Sequence, residues 1–133
     1  MKTIEIRGHH SSGKTMTMNI LLNLLKVRKN VKDFKDYPIR HENKTLDFKG
    51  VILYNERKVA LISCGDMANY IEDRLDEYSF ADIVLYTNAH FKTKRAPDFT
   101  FDTIKNKEDK RNWYTDAFGI ATSIIKLLDE LTE

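Results

Sequence analysis

Residues 8 to 15 read Gly8-His9-His10-Ser11-Ser12-Gly13-Lys14-Thr15, which sets two glycines, a lysine and a hydroxyl residue at the spacing G-x-x-x-x-G-K-[ST]. This spacing constrains the fold more than any other feature, because such a loop works only between a strand and the start of a helix. Both neighbours are present in the pattern. Thr3-Ile4-Glu5-Ile6-Arg7 alternates, with Ile4 and Ile6 on one face, and from Met16 to Val27 the apolar residues Met16, Ile20, Leu24 and Val27 recur at helical spacing. Glycine corners at Gly8 and Gly13 let successive backbone N–H groups wrap a phosphate chain closely. The helix that follows turns its free N–H groups and the positive end of its dipole towards the same anion. Within the loop, Lys14 is the cation expected to reach terminal phosphates, and the Thr15 hydroxyl suits a hard, octahedral Mg²⁺.

The motif resembles the Walker A loop of P-loop NTPases over about 30 residues, counting its strand and helix. The resemblance implies a nucleotide cofactor, ATP or another NTP with Mg²⁺. It assigns Gly8, His9, His10, Ser11, Ser12, Gly13, Lys14 and Thr15 to the phosphates, with Lys14 catalytic and Thr15 on the metal. It also implies a second acid at the end of a neighbouring apolar strand, the Walker B position. The candidate is Asp66, which follows Val59-Ala60-Leu61-Ile62-Ser63-Cys64-Gly65, two residues beyond the apolar run. Asp66 carries two readings, a metal-organising acid and an N-cap for the helix from Met67 onward. The preceding hairpin and Ser63-Cys64-Gly65-Asp66 are also similar to the layout of small GTPases. Guanine selection in that branch uses Asn-Lys-x-Asp, and here Thr87-Asn88-Ala89-His90 keeps only Asn88. ATP or loose base selection is therefore the expectation.

The 133 residues, 41% of them hydrophobic, suit a single P-loop domain spanning residues 1–133. A net charge of +2 supplies no broad field for nucleic acid or membrane, so any basic site must be local. A strand at the N-terminus and the shortness of every apolar run point to a cytoplasmic protein without a membrane span. The single cysteine, Cys64, ends an apolar run and reads as a core thiol.

Along the chain, Asn30 to Asn43 is polar, contains Pro38 and reads as a loop or short helix, with Phe34, Tyr37 and Ile39 as apolar anchors. Leu46 to Tyr54 and Lys58 to Cys64, around Asn55-Glu56-Arg57, predict a β-hairpin. Met67 to Tyr78 predicts a helix, Ile83 to Tyr86 a strand covered on both faces, and Thr115 to Leu131 a final helix burying Phe118, Ala121, Ile125, Leu128 and Leu131. The order implies an α/β fold: a three-layer α/β/α sandwich, P-loop NTPase-like, on a mostly parallel sheet with one antiparallel hairpin strand.

From Phe91 to Trp113, basic residues including Lys92, Lys94, Arg95, Lys105, Lys107, Lys110 and Arg111 mix with acids and with Phe99, Phe101 and Trp113. The segment is a solvated surface or, on the sharper reading, a lid that brings Arg95 to the phosphates as a catalytic residue. Single-stranded nucleic acid is the less favoured partner, because acids are interleaved. His41 and His90 stand apart from other ligands, which argues against zinc. No Ser-His-Asp set and no Cys-x-x-Cys pair is present as a rival centre. The expected function is ATP- and magnesium-dependent phosphoryl transfer, kinase-like towards a nucleotide or small molecule, or NTP hydrolysis. In the kinase case, Tyr37 to Asn43, with Arg40 and His41, would help form the acceptor pocket. The alternative is a nucleotide-sensing module with a small-molecule or protein partner and little turnover.

Overall fold

The computed structural model describes residues 1–8, 13–41, 46–63, 68–89, 93–103 and 113–133. Alternation in the first apolar run makes β1 (Lys2–Arg7), and Gly13 opens α1 (Lys14–Lys26). Two short strands follow, β2 (Val31–Asp33) and β3 (Arg40–His41). The hairpin is β4 (Phe48–Tyr54) and β5 (Arg57–Ser63), then come α2 (Ala68–Glu77), β6 (Ile83–Asn88), β7 (Phe99–Asp102) and α3 (Trp113–Leu131).

All seven strands join one sheet in the order β2-β4-β5-β6-β1-β7, with β3 also on β4. Strands β5, β6, β1 and β7 are parallel neighbours, whereas β2, β3 and β5 each run antiparallel to β4. Asn55 and Glu56 form the hairpin turn with φ of 50° and 66°, the two positive angles that a type I′ turn needs. This turn pairs Tyr54 with Arg57 and carries the register through to Phe48 opposite Ser63.

Pleating sorts the side chains into two cores. Ile4, Ile6, Phe48, Ile52, Val59, Leu61, Ile83 and Leu85 face α1 and α3, packing with Met18, Leu21, Leu25, Ala121, Ile124 and Leu128. On the opposite face Val51, Ala60, Ile62, Val84 and Tyr86 pack with Ile71, Leu75 and Tyr78. All six residues of β6 are buried, as a strand covered on both faces requires.

The sheet overturns the expected three-layer α/β/α sandwich on a mostly parallel sheet with one antiparallel hairpin strand. Three of its six pairings are antiparallel, and among the described residues the second face carries a single ten-residue helix. The cause lies in the polar stretch after α1, expected as a loop or short helix. It forms β2 and β3 on the edge around β4, where exposed positions need no apolar side chains. Between them, Phe34, Tyr37, Tyr78 and Phe80 cluster, with Tyr37 and Phe80 centroids 4.6 Å apart. Tyr37 accepts a 2.8 Å hydrogen bond from the Val51 N–H, and Gly50 leaves room for the Ile39 backbone. A Cβ at Gly50 would lie 2.6 Å from Ile39 Cα.

Two helix faces also differ from their predicted patterns. Val27 is 80% exposed beyond the end of α1; of the predicted stripe, Ile20 is buried and Met16 and Leu24 pack half-buried against the core, while Met18, Leu21, Leu22 and Leu25 form its centre. In α3 the predicted Ala121, Ile125 and Leu128 are buried together with Ala117 and Ile124, whereas Phe118 is 41% exposed and stacks on Tyr114. Among the described residues, no helix is long and apolar enough to cross a membrane.

Candidate functional site

The carboxyl ends of β1, β5 and β6 and the first turn of α1 define one region. Gly13 caps α1 in the left-handed conformation, with φ 98° and ψ 12°, and its carbonyl accepts from Thr17 N at 2.9 Å and Thr17 Oγ1 at 2.8 Å. A Cβ at Gly13 would meet nothing within 4 Å, so glycine is favoured there by backbone conformation and not by space. Lys14 is 6% exposed, and its Nζ donates to the Gly8 carbonyl at 3.0 Å. Gly8 N in turn donates to the Asn88 carbonyl at 3.1 Å, tying the loop's first corner to the end of β6. A buried ammonium therefore lies at the positive end of a thirteen-residue helix, and the two fields add in favour of an anion.

Beside this centre sits an acid that the motif does not predict. Asp47 Oδ1 accepts from Thr15 Oγ1 at 3.2 Å and from Ser63 Oγ at 3.1 Å. Asn19 Nδ2 fixes the approach of this segment, donating to the Leu46 carbonyl at 3.0 Å and to the Thr15 carbonyl at 2.9 Å. α1, β4 and β5 thus converge on one carboxylate. The hairpin register contains the signal that would have found it: with Tyr54 opposite Arg57, Phe48 falls opposite Ser63, and the residue before Phe48 lies at the loop's end of the sheet.

A second polar group joins β1 to β6. Glu5 is fully buried; its Oε1 accepts from Arg7 Nε at 2.5 Å, and its Oε2 accepts from Tyr86 Oη at 2.9 Å and Asn88 Nδ2 at 3.2 Å. Burial, then the nearby Glu5 charge, pushes the Tyr86 hydroxyl well above its ordinary pKa, so Tyr86 remains a protonated donor to Glu5. The Asn88 side chain is thus directed at Glu5 inside the protein.

The sequence-derived residues divide clearly. Gly8, Gly13, Lys14 and Thr15 come together, whereas His9, His10, Ser11 and Ser12 lie outside the described residues, as do Asp66, Cys64 and His90. The strand that leads to Asp66, β5, is separated from β1 by β6. Arg95 is placed away from the loop. Its Nη2 donates to the Met1 carbonyl at 2.6 Å, at the opposite end of β1. Seven steps of extended chain lead from Met1 to Gly8, roughly 23 Å. The parallel pairing of β7 with β1 requires this, because the chain must return to the amino end of the sheet before Phe99 can pair beside Ile4. Lys94 is held nearby, its backbone N–H donating to Glu72 Oε1 at 2.7 Å. The lid residues Lys92, Lys105, Lys107, Lys110 and Arg111 lie outside the described residues. Of the expected acceptor segment, Arg40 and His41 form β3, with the His41 ring edge-on to Phe48 at 5.7 Å.

Among the described residues no three His, Cys, Asp or Glu side chains converge to hold a metal. Thr15 and Asp47 nevertheless suit Mg²⁺, which takes hard oxygen ligands, needs only one or two carboxylates and keeps much of its water. No family model matches the chain, and no curated protein and no solved structure matches it.

Proposed function

We propose that the chain is a P-loop NTPase that binds a nucleoside triphosphate, ATP by default, with Mg²⁺ at Gly8–Thr15, and transfers or hydrolyses its terminal phosphate. The observation that carries this reading is the buried Lys14 ammonium, pinned to the Gly8 carbonyl at the N-terminus of α1 beside the Thr15–Asp47–Ser63 cluster. Lys14 and the helix N–H groups hold the phosphates and neutralise charge that builds up on them. Thr15 and Asp47 would hold Mg²⁺ by hydroxyl and carboxylate oxygens, directly or through its water, and the ion would supply neutralisation of phosphate charge. Asp66 keeps its two readings, second acid or helix cap, and Arg95 has no part in this site.

The sensor reading draws on one feature. The bonds from Thr15 and Ser63 to Asp47 tie α1 to the β4–β5 hairpin, so a ligand that recruits Thr15 changes that tie and passes the change to the sheet edge.

Isothermal titration with ATP, GTP and ADP, each with and without Mg²⁺, tests the reading on the native chain and on Lys14→Met, which keeps the apolar stem. Magnesium-dependent binding weakened at least about tenfold in Lys14→Met supports it. The absence of binding by any of the nucleotides overturns it. Phosphate release or product formation with added acceptors then separates the enzyme from the sensor.

A further inference from the structure

A cavity of about 620 Å³ opens between the C-terminal half of α1 and the strands β2 and β3. Its inner wall is aliphatic, made by Leu22, Leu25, Val31, Ile39 and Ile52. Its rim carries three lysines, Lys26, Lys32 and Lys35, against one acid, Asp33. The same bias runs through the local sequence, where Lys26, Arg28, Lys29, Lys32 and Lys35 face only Asp33 in ten residues. Two of these cations are engaged elsewhere, Lys32 with Glu56 at 3.0 Å and Arg28 with Asp129 at 3.3 Å. Lys26 and Lys35 are exposed and make no ion pair among the described residues.

The phosphate loop feeds the other end of α1. Twelve residues separate Lys14 from Lys26, a rise of about 18 Å, so the cavity is a different place with a different chemistry. Its volume falls within the range of roughly 300–1,000 Å³ typical of small-molecule sites. A partner helix would instead need an elongated groove with anchors along several turns. An aliphatic wall asks for a hydrocarbon body, and a cationic rim asks for an anionic head.

We propose that this cavity binds a small anionic amphiphile, a single hydrocarbon chain ending in a carboxylate. The chain lies against Leu22, Leu25 and Ile39, and the head is drawn to Lys26 and Lys35. This site is independent of nucleotide binding.

Titration calorimetry with sodium decanoate below its micellar concentration, with decanol and with decyltrimethylammonium tests the proposal on the full chain. Decanoate is expected to bind one per chain and at least about tenfold more tightly than the cationic amphiphile. The double variant Lys26→Glu/Lys35→Glu is expected to lose about tenfold in decanoate affinity, and Lys26→Gln/Lys35→Gln less, both retaining the native circular dichroism because the two lysines are exposed. Equal binding of the three compounds, no saturable binding of decanoate, or unchanged decanoate affinity in both folded variants would overturn it.

Discussion

Single side chains carry the sharpest consequences. Gly13 combines a left-handed backbone with open space where a Cβ would lie, so Gly13→Ala isolates conformational strain from crowding. It should destabilise the fold by about 1–2 kcal/mol, read from urea denaturation. Asp47→Asn keeps the size of the side chain and removes its charge. It should leave the melting temperature nearly unchanged while lowering the Mg²⁺ dependence of nucleotide binding at least about tenfold, measured by titrating Mg²⁺ at fixed ATP. At the opposite end of β1, the Thr3 backbone N–H holds the Asp98 carboxyl below its ordinary range, against a smaller opposing effect of desolvation. A carboxyl whose folded pKa is depressed stabilises the protein fully above the unfolded value of about 4, and that stability is lost as pH falls through the folded value. Asp98→Asn should therefore lower stability at neutral pH and flatten the acid limb of a plot of denaturation midpoint against pH.

Among the elements, the β4–β5 hairpin was the most legible, although its turn is Asn55 and Glu56 alone and Arg57, expected in the turn, opens β5 opposite Tyr54. The faces of α1 and α3 were less legible. Helical spacing allows several overlapping stripes, and the core takes in Leu21, Leu22 and Leu25 of α1 and Ala117 and Ile124 of α3 beside the predicted Ile20, Ala121, Ile125 and Leu128. β2 and β3 could not be read from period, since edge strands with exposed faces need no alternation. Their hold on β4 is testable at Gly50. Gly50→Ala drives a methyl into the Ile39 backbone and should cost about 2 kcal/mol, with loss of amide protection concentrated at Val51 and in β2 and β3. A second tie joins α3 to this edge. The hydroxyl of the buried Tyr54 donates to Asp129, which also pairs with Arg28 at 3.3 Å. Asp129→Ala should cost about 1–2 kcal/mol, chiefly by leaving the Tyr54 hydroxyl without that acceptor, and thermal unfolding would register it.

At the scale of the molecule, the strand and the helix on either side of the glycine-lysine segment were legible in the sequence, while the acid that accepts from Thr15 was not. Asp47 is brought to Thr15 by a hairpin whose far end is set by pairing, and its own surroundings, Leu46-Asp47-Phe48, carry no motif. The misplacement of Arg95 has the same origin. Composition put a basic segment late in the chain, but the parallel pairing of β7 with β1 decides which end of the sheet that segment occupies. Topology, which a local pattern does not encode, likewise set three antiparallel pairings where a mostly parallel sheet was expected. We propose that nucleotide phosphates bind at Lys14 and Thr15, beside Asp47. The most direct test is amide chemical-shift mapping as Mg²⁺·ATP is added to the isotopically labelled chain. The account predicts perturbations at Gly8, Gly13 to Thr15, Asp47 and Ser63, with Arg95 to Asp98 unmoved; shifts centred on Arg95 to Asp98, or none near the loop at saturating nucleotide, would contradict it.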